Sequence, residues 1–110
     1  MVKMDARTMR AIDEAYLEQQ VLGTAMENGW MSHHIRDSRR VLMGDAGFPD
    51  WVFAKSGRVI FAELKREEGK LSGAQEDWAA ELSPSGDYYV WRPSDWAEGR
   101  IKSIFKGESV

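Results

Sequence analysis

The stretch Gly47 to Lys65, GFPDWVFAKSGRVIFAELK, decides the fold. It reads as two apolar strands, Trp51 to Lys55 and Arg58 to Lys65, joined at Ser56-Gly57. A two-residue turn pairs Lys55 with Arg58 and, counting back along the ladder, Trp51 with Ala62 and Asp50 with Glu63. A three-residue turn over Lys55-Ser56-Gly57 sets Asp50 beside Ala62 instead. In either register two carboxylates reach the same end of one hairpin. Val59, Phe61, Glu63 and Lys65 share one face of the second strand, and Ile60, Ala62 and Leu64 the other. A strand apolar on both faces until its end belongs in the middle of a sheet. Opposed like charges destabilise a strand pair, so something positive must compensate: Lys65 is one candidate, a divalent cation another. Oxygen-only ligands favour a hard ion, Mg2+ or Mn2+. The plainer reading is that strands leaving a core often end in charge, that an E-x-K triplet occurs by chance, and that Asp50 after Pro49 is a turn residue.

The 110 residues suit one domain, 1–110, with 1–12 as an N-terminal extension and 106–110 as a flexible tail. A hydrophobic fraction of 43% with five tryptophans is enough for a core, and the net charge of −3 argues against nucleic-acid binding driven by bulk charge while leaving room for a local basic patch. The absence of cysteine excludes disulfides and thiolate metal sites. The first residues, MVKMDARTMRAIDEAY, lack the apolar segment of a secretory signal, and no run has the length of a membrane span; the expectation is an intracellular, cytoplasmic protein.

Around the hairpin, Leu17, Val21 and Ala25 recur at helical spacing within a helix predicted over Thr8 to Asn28, with Gly29 as its C-cap. Trp30 to Ile35 reads as a short strand. RDSRRVLMGDAGFP reads as a loop. After the polar connection REEGKL, Ser72 caps a helix over Gly73 to Leu82 whose apolar side carries Trp78 and Leu82. Tyr88 to Arg92 is a strand stopped by Pro93, and Ser94 caps a last helix over Asp95 to Phe105. Trp30, Trp51, Trp78 and Trp91 read as core, and Trp96 as core or helix packing. The fold class is α/β, a small mixed sheet flanked by helices, in the order αβββαβ.

With these residues in place, the chain resembles the PD-(D/E)XK nucleases through Pro49-Asp50 and Glu63-x-Lys65. GFPDWVFAKSGRVIFAELKREEGKLSGAQEDW is similar in particular to the VRR-NUC subgroup, which shows a glutamate on its first helix, then Pro-Asp, E-x-K, and a glutamine after a G-x-L-S segment. These features fall on Glu14, Asp50, Glu63, Lys65 and Gln75, and the similarity runs from about Asp13 to Trp96. One departure is Asp13-Glu14 where the subgroup begins its helix with Thr-Glu. Glu14 lies three residues before Leu17 and seven before Val21, so the spacing sets it on the apolar stripe, where a carboxylate needs a partner or a metal. A helix that starts late would leave it in an exposed first turn instead, and Glu18 is its rival. Ser72-x-x-Gln75 also fits a capping box, which competes with the site for the Gln75 side chain.

The resemblance implies a restriction-endonuclease-like core and Mg2+- or Mn2+-dependent hydrolysis of DNA phosphodiesters. Glu14, Asp50, Glu63 and the Leu64 carbonyl would hold the metal, and Asp50, Glu63, Lys65 and Gln75 would carry catalysis. Arg36, Arg39 and Arg40 form the best candidate phosphate grip, because a guanidinium binds two oxygens at once; Lys70, Arg66 and His34 add to it. Stand-alone members of the subgroup, often viral, act as homodimers on branched DNA such as four-way (Holliday) junctions, so a virus-encoded junction resolvase is the expectation. The competing readings are a non-catalytic DNA-binding module on the same fold and a protein-interaction adaptor.

Overall fold

The computed structural model describes residues 4–35 and 43–108. Among the described residues ten short elements follow one another: α1 (Ala6–Ala11), α2 (Glu14–Glu27), β1 (Met31–His34), β2 (Trp51–Lys55), β3 (Arg58–Leu64), α3 (Gly73–Leu82), a 3-10 turn (Ser83–Ser85), β4 (Tyr88–Trp91), α4 (Pro93–Ala97) and α5 (Arg100–Phe105). The four strands form one mixed sheet in the order β1-β2-β3-β4. β1, β2 and β3 are antiparallel neighbours, and β4 joins β3 in parallel after the crossover through α3.

The hairpin takes the two-residue register. Ser56 and Gly57 both have positive φ, 48° and 86°, the signature of the turn whose twist matches its strands. Lys55 therefore pairs with Arg58 and Trp51 with Ala62. β3, apolar on both sides, is bonded on both edges, as its pattern predicts.

Two predicted helices are each broken in two. The first breaks at Ile12-Asp13, because Asp5 and Asp13 each adopt extended backbone and accept the N–H three residues on, from Thr8 and Tyr16, at 2.8 Å. The Leu17, Val21, Ala25 stripe belongs to α2 alone. The last breaks at Glu98-Gly99, and its start is fixed not by Ser94 but by Asp95, whose Oδ2 accepts the Arg92 N–H at 2.8 Å.

The core lies on one side of the sheet. Trp51, Phe53, Ile60, Ala62, Leu64 and Trp91 are buried against Leu17, Val21 and Ala25 of α2 and Ile101 and Phe105 of α5. Phe105 stacks edge-on against Phe53 at 5.0 Å and Trp91 at 5.4 Å, and its carbonyl accepts the Trp30 indole N–H at 2.8 Å. Each such side chain stabilises the fold by roughly 1.5–3 kcal/mol. At the far edge Arg58 grips Asp87 with two bonds, 3.1 and 2.7 Å, tying the start of β3 to the segment leading into β4.

The other face is thin. α3 buries no residue fully, and it rests on the sheet through Phe48, which meets Trp78 at 4.9 Å and Phe61 at 5.8 Å. Trp78 is thus half-buried packing on this face rather than core. Among the described residues no helix is long and apolar enough to cross a membrane.

The chain reaches Asp50 by passing under α3 at Gly47. Its φ of +93° suits glycine, and a Cβ built there would lie 2.5 Å from the Ala74 carbonyl carbon. Gly47→Ala is therefore expected to lose roughly 2–4 kcal/mol of stability in urea denaturation, from strain and overpacking together; a loss within measurement error would mean that the loop and α3 separate freely.

Candidate functional site

The acid pair is assembled as the hairpin arithmetic requires. Trp51 and Ala62 are the last ladder pair of β2 and β3, so Asp50 and Glu63 come next at the same strand end. The Asp50 Oδ2 accepts the Leu64 backbone N–H at 3.1 Å. A charged acceptor on a backbone donor contributes about 1.5–3 kcal/mol and fixes the carboxylate across the strand. The Asp50 carbonyl accepts the Ile35 N–H at 2.7 Å, which ties the end of β1 to the same corner.

Glu63 is the one fully buried carboxylate among the described residues, only 2% exposed. On the α3 face of the sheet its Oε1 accepts the Gln75 Nε2 at 3.1 Å. The same amide accepts the Ser72 N–H at 2.9 Å through Oε1, while the Gln75 N–H donates to the Ser72 hydroxyl at 3.2 Å. The capping box and the contact to Glu63 are thus made together, one by each end of the amide. The sequence presents these as competing roles because the capping pattern says nothing of where the second end of the amide points.

Burial pushes the Glu63 carboxyl up to about 9; the Asp50 carboxylate beside it acts in the same direction through a shared hydrogen bond and through charge, Lys65 pulls it back, and Glu14 raises it further. At neutral pH the pair holds a proton on Glu63 in place of a second charge. Lys65 stands one residue past the end of β3, half-buried, its backbone N–H bonded to the Trp91 carbonyl at 3.0 Å.

Glu14 does not sit on the buried stripe. Because α2 starts at Glu14, the side chain leans back past the helix end, and it is exposed. Its charge nonetheless reaches Glu63. Glu18, its rival, is occupied elsewhere: its Oε2 accepts the Trp51 indole N–H at 3.0 Å and lies 3.5 Å from the His34 Nε2. Among the described residues no three His, Asp or Glu side chains are gathered into a group that could enclose a metal ion. The four-ligand set Glu14, Asp50, Glu63 and Leu64 is therefore brought together only as far as the Asp50–Glu63 pair, with Leu64 bonded to Asp50 through its N–H.

His34 is exposed and lies flat on Trp51, ring centres 4.6 Å apart, on the β1 edge next to Asp50. Lys70 is exposed on the loop between β3 and α3. Arg36, Arg39 and Arg40 fall outside the described residues. Arg66, on the same loop as Lys70, donates to the Arg10 carbonyl at 3.3 Å, so α1 closes against this end of the sheet. Three clefts lie elsewhere: about 690 Å3 between α2 and the α4–α5 segment, about 370 Å3 between α1 and the start of α2, and about 330 Å3 beside Asp45 and Trp78. The acid pair lines none of them.

Tyr88 is the residue that the sequence did not flag. It pairs with Phe61, and Val90 pairs with Glu63, so Tyr88 lies on the Glu63 face of the sheet. Burial, with the charges of Glu63 and Asp50, pushes its hydroxyl up to about 12. The alternation of TyrTyrValTrp, Tyr88 to Trp91, was the available signal, once the parallel register with β3 was known.

No protein-family model, no curated protein and no solved structure matches this chain.

The raised Glu63 carboxyl has a pH consequence. Between about 4.5 and 9 the folded chain holds a proton that the unfolded chain has released, so stability is greatest below this window and falls as pH rises through it. Metal-free protein is expected to lose urea resistance steadily from pH 5 to pH 9, and Glu63→Gln to flatten that decline. An equally steep decline in Glu63→Gln would assign the proton to another group.

Proposed function

We propose that this chain is a metal-dependent DNA endonuclease with a restriction-endonuclease-like core, of the VRR-NUC kind within the PD-(D/E)XK nucleases. One observation carries the reading: Asp50 and Glu63 converge at one strand end, with Lys65 beside them and Gln75 bonded to Glu63. The order αβββαβ from α2 to β4 and the antiparallel-then-parallel sheet support the same fold assignment.

The donor set fits a divalent cation. Two carboxylates forced together in a poorly solvated corner hold a proton where a cation of higher charge would serve both. Asp50 and Glu63 would hold Mg2+ or Mn2+, with the Leu64 carbonyl and the Glu14 carboxylate as further oxygens. When bound, the ion would polarise a phosphoryl oxygen and lower the pKa of a coordinated water. The remaining roles belong to the chain. Asp50 is oriented by the Leu64 N–H and Glu63 by Gln75, so both side chains are held from the protein side, and binding of a cation would displace the proton on Glu63. Lys65 supplies a positive charge against the charge that develops on the phosphate. By sequence, Arg36, Arg39 and Arg40 would form the phosphate grip, with His34 at the end of β1 and Lys70 and Arg66 on the loop after β3 adding to it. The resemblance adds a homodimer and branched DNA, with two centres for two strand cuts.

The test is nicking of a synthetic four-way junction beside flap, fork and nicked duplex, with Mg2+ or with chelator. Cleavage is expected only with the metal, and Asp50→Ala should slow it by about 100-fold or more. A junction bound tightly yet left intact would instead identify a DNA-binding module, and neither binding nor cleavage would favour an adaptor.

A further inference from the structure

The Tyr88 hydroxyl is buried and has no hydrogen-bond partner among the described residues. Leaving such a group unpaired costs roughly 1–3 kcal/mol, and native structures seldom do so without a reason. Its surroundings supply one. Tyr88 opens β4 next to Phe61, on the face of the sheet that carries Glu63, beneath the helix that brings Gln75. Both carboxylates of the pair act on it electrostatically. As a protonated phenol at every physiological pH it is a donor on the face that carries the acid pair, yet no described acceptor lies within direct bonding distance.

We propose that Tyr88 is a positioning residue of the acid centre, whose hydroxyl fixes the Glu63 carboxyl through one buried bridging water. Polar groups too far apart for a direct bond are commonly joined in this way. Gln75 holds one oxygen of Glu63 from the helix side. Tyr88 holds the carboxyl from the sheet side, so the side chain is braced before any cation arrives. The bracing role rests on reading Asp50 and Glu63 as a metal-holding pair, but the Tyr88–Glu63 link itself can be measured without metal.

The experiment is a double-mutant cycle of Tyr88→Phe and Glu63→Met in the full chain, read by thermal melting in chelator and by calorimetric titration with Mn2+. Phenylalanine removes only the oxygen, and methionine matches the length of the acid while removing its carboxyl, so both variants are expected to fold. If the hydroxyl braces Glu63, Tyr88→Phe lowers Tm by about 3 °C or more in the wild-type background and by much less in Glu63→Met. Mn2+ binding then weakens several-fold in Tyr88→Phe. If the hydroxyl is an isolated orphan, its removal leaves Tm unchanged or raises it, equally in both backgrounds, and the proposal is overturned. If wild-type protein takes up no Mn2+, the nuclease reading fails, and the coupling in Tm still decides whether Tyr88 and Glu63 are joined.

Discussion

Two carboxylates at one strand end are the constraint on which the rest of this structure depends. Left charged, Asp50 and Glu63 would repel across a hairpin that is otherwise well suited to burial. The fold answers with directed hydrogen bonds rather than with solvent: the Leu64 N–H to Asp50 and the Gln75 amide to Glu63, with a proton retained on the more buried acid. Keeping a group such as Glu63 inside costs stability unless its partners are all in place. That cost is the physical reason to seek a use for the pair beyond folding.

The architecture divides labour between its two faces. The side packed by α2 and α5 holds nearly all the fully buried apolar side chains, with Phe105 meeting three aromatic rings. The α3 side is shallow, with Phe48 as its wedge. A thick face that secures the strands allows the thin face to carry polar groups, because its packing is not what keeps the sheet together. The Arg58–Asp87 fork has a similar role at the opposite end of β3, holding β4 in register so that Val90 meets Glu63 and Tyr88 meets Phe61.

Much of this was legible in the residues. Both turn lengths that Ser56-Gly57 allows bring Asp50 and Glu63 to the same strand end, so their convergence follows from counting, and the positive φ of Ser56 and Gly57 settles the register. The β3 pattern, apolar on both faces, places it centrally. Helix breaks were less legible, because Leu17, Val21 and Ala25 mark the buried side of a helix without marking where it starts. Asp13 fixed that start, which decided between the two positions open to Glu14 in favour of the exposed first turn. Glu98-Gly99 interrupted the final helix, although the apolar pattern continues across it. The site role of Gln75 was expected beside a competing capping role; that both are met at once was not legible, because local spacing describes one end of an amide and only the crossover geometry describes the other. Tyr88 required the parallel pairing of β3 and β4, a long-range fact that no window of sequence contains.

The two-ended amide of Gln75 ties the beginning of a helix to the charge state of a buried acid. Fraying of the first turn of α3 would take the Gln75 amide from Glu63, and movement of Glu63 would take from that amide one of the two bonds that orient it. Local opening of that turn and rearrangement of the acid are therefore coupled. The backbone protons at the start of α3 accordingly carry, in their solvent-exchange rates, a record of what Glu63 holds.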